Sequence, residues 1–469
     1  MNSTSSPPGL RARVSVAQLL ALFTRLLAQP LGRPWPLAPS GRRRFYDRLW
    51  SPRITLWYLL WQRLHPDPTL DAVVKDARAG GADALCAPRK KLSAGLRSRA
   101  TTSYCDARQR LPLHWLRQVF THFTHLLRAN VQGLDWHGLS VALLDGTTLR
   151  VRPHGNLAKR FAPASNQHGP AYWCLIRVVA GFCASSGLAL VTGLGPQTVS
   201  EQALAVPLIL RAAAARLWIG DRNFGVWRIA RAALQARGHV LLRLTEARAR
   251  RLLGRALREG LDAPVCWNPS RHDQVDAGLE HLPVEGRLVV VGLRRRGHRT
   301  QWLYLFTTLE DPALYPAGEL AALYGVRWHV ELDLRHLKAQ MGLAQLEVKS
   351  ARMAIQQWYA GLLAYNLIRG VMLWSADSAA VDPLTLSFAQ SRRLVRETMR
   401  AWQRPAEPAA RLALWEQLLE DVAATRHPRR KQKRPNEPRA KYHVREMFPP
   451  LRGSRAAARR LLEEQLLKS

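Results

Sequence analysis

The chain has 469 residues, 47% of them hydrophobic, which is enough for a substantial core and two to four domains and excludes a disordered chain. Lys and Arg number 70 against 34 Asp and Glu, a formal net charge of +36. Such a surplus repels itself unless a polyanion is at hand, and nucleic acid is its natural partner through counterion release, with an anionic membrane surface as the competing one. The five cysteines (Cys86, Cys105, Cys174, Cys183 and Cys266) contain no C-x-x-C pair. A structural zinc site is therefore not expected, and the pattern suits a reducing, cytoplasmic compartment.

Residues 1–135 read as helical and basic, a candidate DNA-binding region. "VSVAQLLALFTRLLAQP" resembles a short signal peptide, but Arg25 interrupts the apolar run, so an amphipathic helix is expected. No uninterrupted apolar run of 18 residues occurs, so no membrane span is expected. "GRRRFYDRLW" and "APRKKLSAGLRSRA" set base clusters beside helical segments. "TTSYCDARQRLPLHWLRQVFTHFTHLLR" predicts a short helix, a Leu-Pro break and a longer helix, a pattern that suits a helix-turn-helix contact or a plain helical bundle equally.

From residue 136 the period changes. "LSVALLDGTTLRV" (139–151) predicts a buried strand closed by Asp145. "YWCLIRVVAGFCASS" and "GLALVTGLGP" predict two more strands, turning at Ser185–Gly187. "SEQALAVPLILRAAAAR" predicts a helix capped by Ser200, "LWIGDRNF" a short strand ending at Asp221, "GVWRIARAALQARG" a helix closed by Gly238, and "HVLLRL" another strand. Three strands, helix, strand, helix, strand is the order of an α/β, ribonuclease-H-like core, here with its first part at 136–245. Residues 246–318, with "PVCWNPS" and the hairpin "GRLVVVGLRRRGHRTQWLYLFTTL" turning over the basic Arg294–His298 segment, predict a β-rich insertion. The second part of the core follows at 319–380, then a helical C-terminal region at 381–469. Its basic stretch, "RHPRRKQKRPNEPRAKYHVR", is either a phosphate-binding segment or a solvated tail.

On one continuous helix through "YGVRWHVELDLRHLK", Tyr324, Arg327, Glu331 and Lys338 share a wedge of roughly 60° at the edge of the apolar stripe, and Asp333 lies ~180° from Tyr324. Taken singly, each acid has an ordinary reading. Asp145-Gly146 is a turn signal, Asp221 an N-cap, and Arg327–Glu331 a surface pair of about 0.3–0.5 kcal/mol. Taken together, acids at two strand ends and one on a helix beside them could converge. Like charges so close repel unless a cation is present, and oxygen-only ligands select Mg²⁺ or Mn²⁺.

"LLDGTT", "GDRNF" and the helix pattern Y-(2)-R-(3)-E-(6)-K, here Tyr324, Arg327, Glu331 and Lys338, resemble the DDE transposases of the insertion-sequence type-four family. The likeness runs from "SYCDARQRLP" to "NLIRG", and "DGTT" or "DRNF" alone would be weak. It implies a ribonuclease-H-like catalytic core with a β insertion. It also implies two Mg²⁺ (or Mn²⁺) ions held by Asp145, Asp221 and Glu331. Arg327 and Lys338 would grip phosphates with support from Tyr324. Arg222, Asn223, Lys159 and Arg160 are weaker candidates for DNA contact, and Trp267 or Trp302 for stacking on a flipped base. The implied partners are the double-stranded DNA of element ends and target and a second subunit on that DNA, with no nucleotide cofactor and no membrane. The rival readings are a structure-selective nuclease on the same core and an inactive DNA-binding descendant.

Overall fold

A computed structural model describes residues 49–86, 91–129, 135–166, 169–271, 273, 278–293, 301–402, 407–426 and 454–467. The expected amphipathic helix near the N-terminus, the Arg294–His298 turn and nearly all of the basic C-terminal stretch lie outside them. Two compact units divide the chain. Among its described residues the smaller has the helix Arg455–Leu466, whose first turn is capped by Ser454.

In chain order the described residues of the larger unit include helices α1 (Pro52–Leu64), α2 (Leu70–Arg78), α3 (Thr102–Arg110) and α4 (Leu113–Ala129), the last two flanking the expected Leu-Pro break. Strand β1 (Ser140–Val151) leads through one helical turn, Leu157–Arg160, to β2 (Pro163–Asn166), β3 (Gly169–Cys183) and β4 (Ala189–Pro196). Then come α5 (Glu201–Leu210), β5 (Arg216–Gly220), α6 (Trp227–Gln235), β6 (His239–Arg243) and α7 (Glu246–Leu253). Strands β7 (Asp262–Trp267), β8 (Val284–Leu293) and β9 (Gln301–Thr307) precede α8 (Ala317–Gly325) and α9 (Trp328–Arg335). A short β10 (Gln345–Leu346), α10 (Ala351–Ser378), α11 (Phe388–Trp402) and α12 (Pro408–Ala423) complete the unit.

The strands form one mixed sheet in the order β2-β3-β1-β5-β6-β9-β8-β7, with β4 also pairing β3 and β10 also pairing β1. β1 lies antiparallel to β3, β3 antiparallel to β4, and β1, β5 and β6 run parallel. This is ribonuclease-H-like topology. Val141–Leu144 are buried because neighbours cover both faces of a central strand. The β-rich segment continues the same sheet, since β9 pairs antiparallel with β6. Buried Arg287 fastens that edge: it forms a two-pronged ion pair with Asp262 and donates to the carbonyls of Leu309 and Tyr315, both at 3.1 Å.

Three expected boundaries shift. β1 does not close at Asp145. Its pairing with β5 ends at Leu144↔Gly220, while the strand runs on against β3 to Val151. α5 stops at Leu210, short of the expected alanine run, although its Ser200 cap is present and accepts from Ala203 N–H at 3.1 Å. At the end of α6 the left-handed residue is Arg237 (φ 56°), not Gly238. Gly238 serves close approach instead, because a Cβ there would meet the Arg216 carbonyl at 2.6 Å.

α10 is buried on every side from Met353 to Ala376, so it reads as a core helix and not as a surface one. Its polar side chains therefore need partners inside the protein. Asn366 pairs with both backbone groups of Ala189 at 2.8 Å, and Trp358 Nε1 donates to Thr192 Oγ1 at 3.0 Å, tying α10 to β4. Arg369 forms a buried ion pair with Asp333 on α9, whose Oδ1 also accepts from the Tyr365 hydroxyl at 2.9 Å. No described helix is long and apolar enough to cross a membrane.

Asp333→Ala leaves the Arg369 charge buried and uncompensated, and should cost about 3–5 kcal/mol. Replacing both partners with Leu and Met should recover most of that loss. Urea unfolding of the single and double variants checks both expectations.

Candidate active site

The site forms where the parallel pairing of β1 and β5 stops. Leu144 and Gly220 are the last register pair, so Asp145 and Asp221 are the next residues along the two strands, Asp145 midway along β1 and Asp221 just past the end of β5. Asp145 stays rigid because β1 continues on its other side against β3, where it pairs with Ala180. Gly146 N–H donates to Asp145 Oδ1 at 2.7 Å, and Asn223 N–H donates to Asp221 Oδ1 at 2.9 Å.

The helical segment lies over these strand ends, but it is not one regular helix. Between α8 and α9 the backbone tightens to i→i−3 bonds: Val326 to Leu323 and Arg327 to Tyr324, each at 3.0 Å. Beyond α9 it widens into a π turn over His336–Gln340. Both departures from 100° per residue change the sector each side chain occupies, and π turns recur at functional sites. Glu331 and Lys338 stand on opposite sides of the α-to-π junction. Asp333, on the back of α9, is held by Arg369.

Arg327 joins the strand ends to the helix. One guanidinium nitrogen lies 2.8 Å from Glu331 Oε1 and the other 3.8 Å from Asp145 Oδ2. Lys338 Nζ donates to Thr147 Oγ1 at 3.1 Å, and Thr147 shares a strand face with Asp145 because side chains alternate. Tyr324 is buried, at 7% exposure, with its hydroxyl bonded by Arg243. Burial, chiefly, pushes that phenol's pKa up.

The electrostatics are those of crowded acids. Burial raises the Asp145 pKa to about 6, with Asp221 and Glu201 adding repulsion against the lowering effects of the Gly146 N–H and Arg327. Burial also raises Glu201, helped by Asp221 and opposed by Arg177. Arg327 is disfavoured by burial, yet Glu331, Tyr324 and Asp145 hold its pKa above the ordinary value. The donor set of Asp145, Asp221 and Glu331 is all oxygen, which suits a hard divalent cation. In this arrangement Glu331 is drawn to the Arg327 guanidinium. Among the described residues no three His, Cys, Asp or Glu side chains stand close enough to hold a metal ion together.

The other expected residues are scattered around this centre. Arg222 is exposed beside Asp221, and Lys159 and Arg160 are exposed on the helical turn after β1. The Asn223 side chain is taken up internally: Gln202 Nε2 donates to its Oδ1 at 2.7 Å, and its own amide donates to Glu201. Trp267 lines a cavity of about 650 Å³ together with Gln202, Arg228, Arg248 and Arg251. Trp302 is 38% exposed and pairs with Gly292, at the far end of β8 from the Val284 that faces Trp267. Sequence reading passed over Thr147, Glu201, Gln202 and Arg243. Thr147 was visible in principle, two residues beyond Asp145 on a strand of period two. Glu201 and Gln202 looked like an ordinary helix start after Ser200.

Fold and site together define a ribonuclease-H-like protein with an acidic centre at its parallel strand ends. The pattern of the family described as "Transposase DDE domain" matches residues 136–367, which span every strand of the sheet and the Tyr-Arg-Glu-Lys segment. The chain is 26% identical over 317 residues to the transposase InsG for insertion sequence element IS4 of Escherichia coli (strain K12), covering 65% of this chain and 68% of that protein. A solved structure, the piggyBac transposase synaptic complex with hairpin DNA, aligns with 81% of this chain and 79% of its own at 11% identity and a TM-score of 0.39. Residues 136–367, just under half of the chain, thus match a transposase DDE domain, and such a domain implies phosphodiester chemistry.

The charge crowding makes a testable statement about stability. The folded Asp145 carboxyl keeps its proton to about pH 6, whereas an unfolded one loses it near ~3.9. Between those values the native state binds more protons, so the residue's contribution to stability is present below about pH 4 and lost as pH rises through about 6. Asp145→Asn should therefore stabilise the protein by about 1–3 kcal/mol at about pH 8 and by little at about pH 4. Urea melts at the two pH values read this directly. No gain at the higher pH would remove the case for a raised Asp145 carboxyl.

Proposed function

We propose that this protein is a cut-and-paste transposase that binds the terminal inverted repeats of its own insertion sequence, cleaves DNA there and joins the freed 3′ ends to a target. The observation that carries this reading is the register. Asp145 and Asp221 follow the last pair of two parallel strands, and Arg327 ties Glu331 to the first of them.

On this reading Asp145, Asp221 and Glu331 hold two Mg²⁺ or Mn²⁺ ions. The fit rests on the all-oxygen donor set and on the raised Asp145 carboxyl, which a nearby cation would relieve. Such ions, when bound, supply activated water and stabilisation of the leaving oxygen. The chain's own cations handle the phosphates. Arg327 presents a planar fork able to take a phosphate in two hydrogen bonds, and Lys338, held over β1 by Thr147, offers a point charge beside Asp145. Buried Tyr324, its hydroxyl bonded by Arg243, would support the DNA strand beside the cleavage point. Exposed Arg222, Lys159 and Arg160 extend the cationic track. The Trp267 cavity, with its three arginines, has the size and character to receive an unstacked base, whereas exposed Trp302 is the alternative platform. We read the N-terminal helices within 1–135 as a DNA-binding region, 246–318 as the insertion, and 381–469 as a further basic region. Two subunits would bridge the two element ends.

The decisive experiment incubates purified protein, and Glu331→Gln beside it, with Mg²⁺ and DNA carrying the inverted repeats that flank the gene. End cleavage and joined product are expected for the wild type. The variant should bind DNA and not cut it, and retained Mg²⁺-dependent cleavage there would sink the ligand assignment. Cleavage without joining would indicate a nuclease, and binding without cleavage an inactive descendant. Separately, Lys338→Ala should lower the slope of log affinity against log salt by about 1, the loss of one phosphate contact. An unchanged slope counts against that contact.

A further inference from the structure

Glu201 occupies a position that an ordinary helix-start acid does not need. An acid in the first turn of α5 is favoured by the helix dipole whether or not it is buried. This one is half-buried among like charges, since Asp221 and Asp145 both repel it. Among the described residues, Arg177 is the cation that acts against that repulsion.

Two contacts give that placement a purpose. First, the Glu201 carboxyl lies against Gly146, in the space a Cβ there would fill. A side chain at 146 would push that carboxyl aside, so the glycine after Asp145 is what lets Glu201 come this close. Gly146 is also the residue whose N–H holds Asp145 Oδ1. Second, Glu201 Oε2 accepts from Asn223 Nδ2 at 2.5 Å, while neighbouring Gln202 donates to both the carbonyl and the side-chain oxygen of Asn223, each at 2.7 Å. Asn223 in turn holds Asp221 Oδ1 through its own N–H at 2.9 Å. One carboxylate thus touches the immediate support of both aspartates.

We propose that Glu201 is a positioning residue of the active site, setting the spacing of Asp145 and Asp221 by packing on Gly146 and gripping Asn223. The role needs an acceptor oxygen of the right reach and does not need the negative charge. Gln202 is its partner in holding the loop, and Asn223 acts as the link between helix and aspartate. This inference rests on the reading of the site as a phosphodiester-cleaving centre.

The test uses the full chain with inverted-repeat DNA and Mn²⁺. Glu201→Ala should lower kcat for cleavage by roughly tenfold to a hundredfold, the scale of a small misplacement of reacting groups, with KM for DNA unchanged. Glu201→Gln, which keeps an acceptor oxygen and the shape, should restore activity to within about threefold of wild type. Asn223→Ala should resemble Glu201→Ala, and the double variant should be no worse than either single one, as expected of residues in one network. Calorimetric titration with Mn²⁺ gives a readout apart from turnover: affinity should fall in Glu201→Ala and Asn223→Ala and return in Glu201→Gln.

Two results overturn the proposal. If Glu201→Gln is as impaired as Glu201→Ala in both cleavage and Mn²⁺ affinity, the charge itself is needed and Glu201 acts directly. If Glu201→Ala matches wild type in both, the contacts are incidental. A wild-type protein that binds Mn²⁺ without cutting DNA would count against the cleavage reading instead, and the Mn²⁺ series would still decide the role of Glu201.

Discussion

The constraint on which the site depends is the cost of burying carboxylates side by side where the parallel pairing of the sheet stops. Asp145, Asp221 and Glu201 crowd one corner of the sheet, and burial first, with repulsion from Asp221 and Glu201 added, raises the Asp145 pKa to about 6. Only a rigid frame can hold such an arrangement, since a softer one would relax by moving the acids apart. The frame has two parts. β1 continues past Asp145 against β3, and the start of α5 clamps the loop after Asp221. Arg327 supplies the compensating charge, and it draws Glu331 into the group from the helical side.

The helical side has its own anchor. α9 carries Glu331 toward the strands and Asp333 toward the core, where Arg369 and Tyr365 of α10 receive it. A buried pair of this kind adds little net stability over apolar packing, yet it tolerates only one register. It can therefore specify how α9 lies on α10, and through that where Glu331 points. The tight turn before α9 and the π turn after it let Arg327, Glu331 and Lys338 serve neighbouring targets that a regular helix would separate differently.

The β-rich segment between the second aspartate and the helix is no detached module in its pairing. β9 joins β6 directly, and buried Arg287 ties β8 to β7 and to the carbonyls beyond β9. Its Trp267 cavity also includes Gln202, the residue that holds Asn223, so the extension of the sheet and the acidic centre share a wall. A change in that cavity can thus reach the loop of Asp221 through one side chain.

Much of this was legible in the sequence for a plain reason: local pattern carries it. Apolar runs of β-branched residues marked the strands, Ser200 marked the start of α5, and the spacing of Tyr324, Arg327, Glu331 and Lys338 marked the helical segment. The acids stood out because charge at the end of an apolar run is unusual. What local pattern could not carry is the relation between elements. Whether Asp145 ends a strand depends on which neighbour is counted, and only the sheet shows that β5 stops there and β3 does not. Asp333 looked like a charge facing away from the site, and only packing against α10 reveals Arg369 as its partner, 36 residues along the chain. Asp-Gly at 145–146 is a turn signal in the sequence, whereas in the fold Glu201, 55 residues later, fills the space of the missing Gly146 side chain. Sequence by itself determined the elements and the chemistry available to them. Tertiary structure decided which charges meet, because charge interactions act through space and fall off over a few ångströms, whatever the distance along the chain.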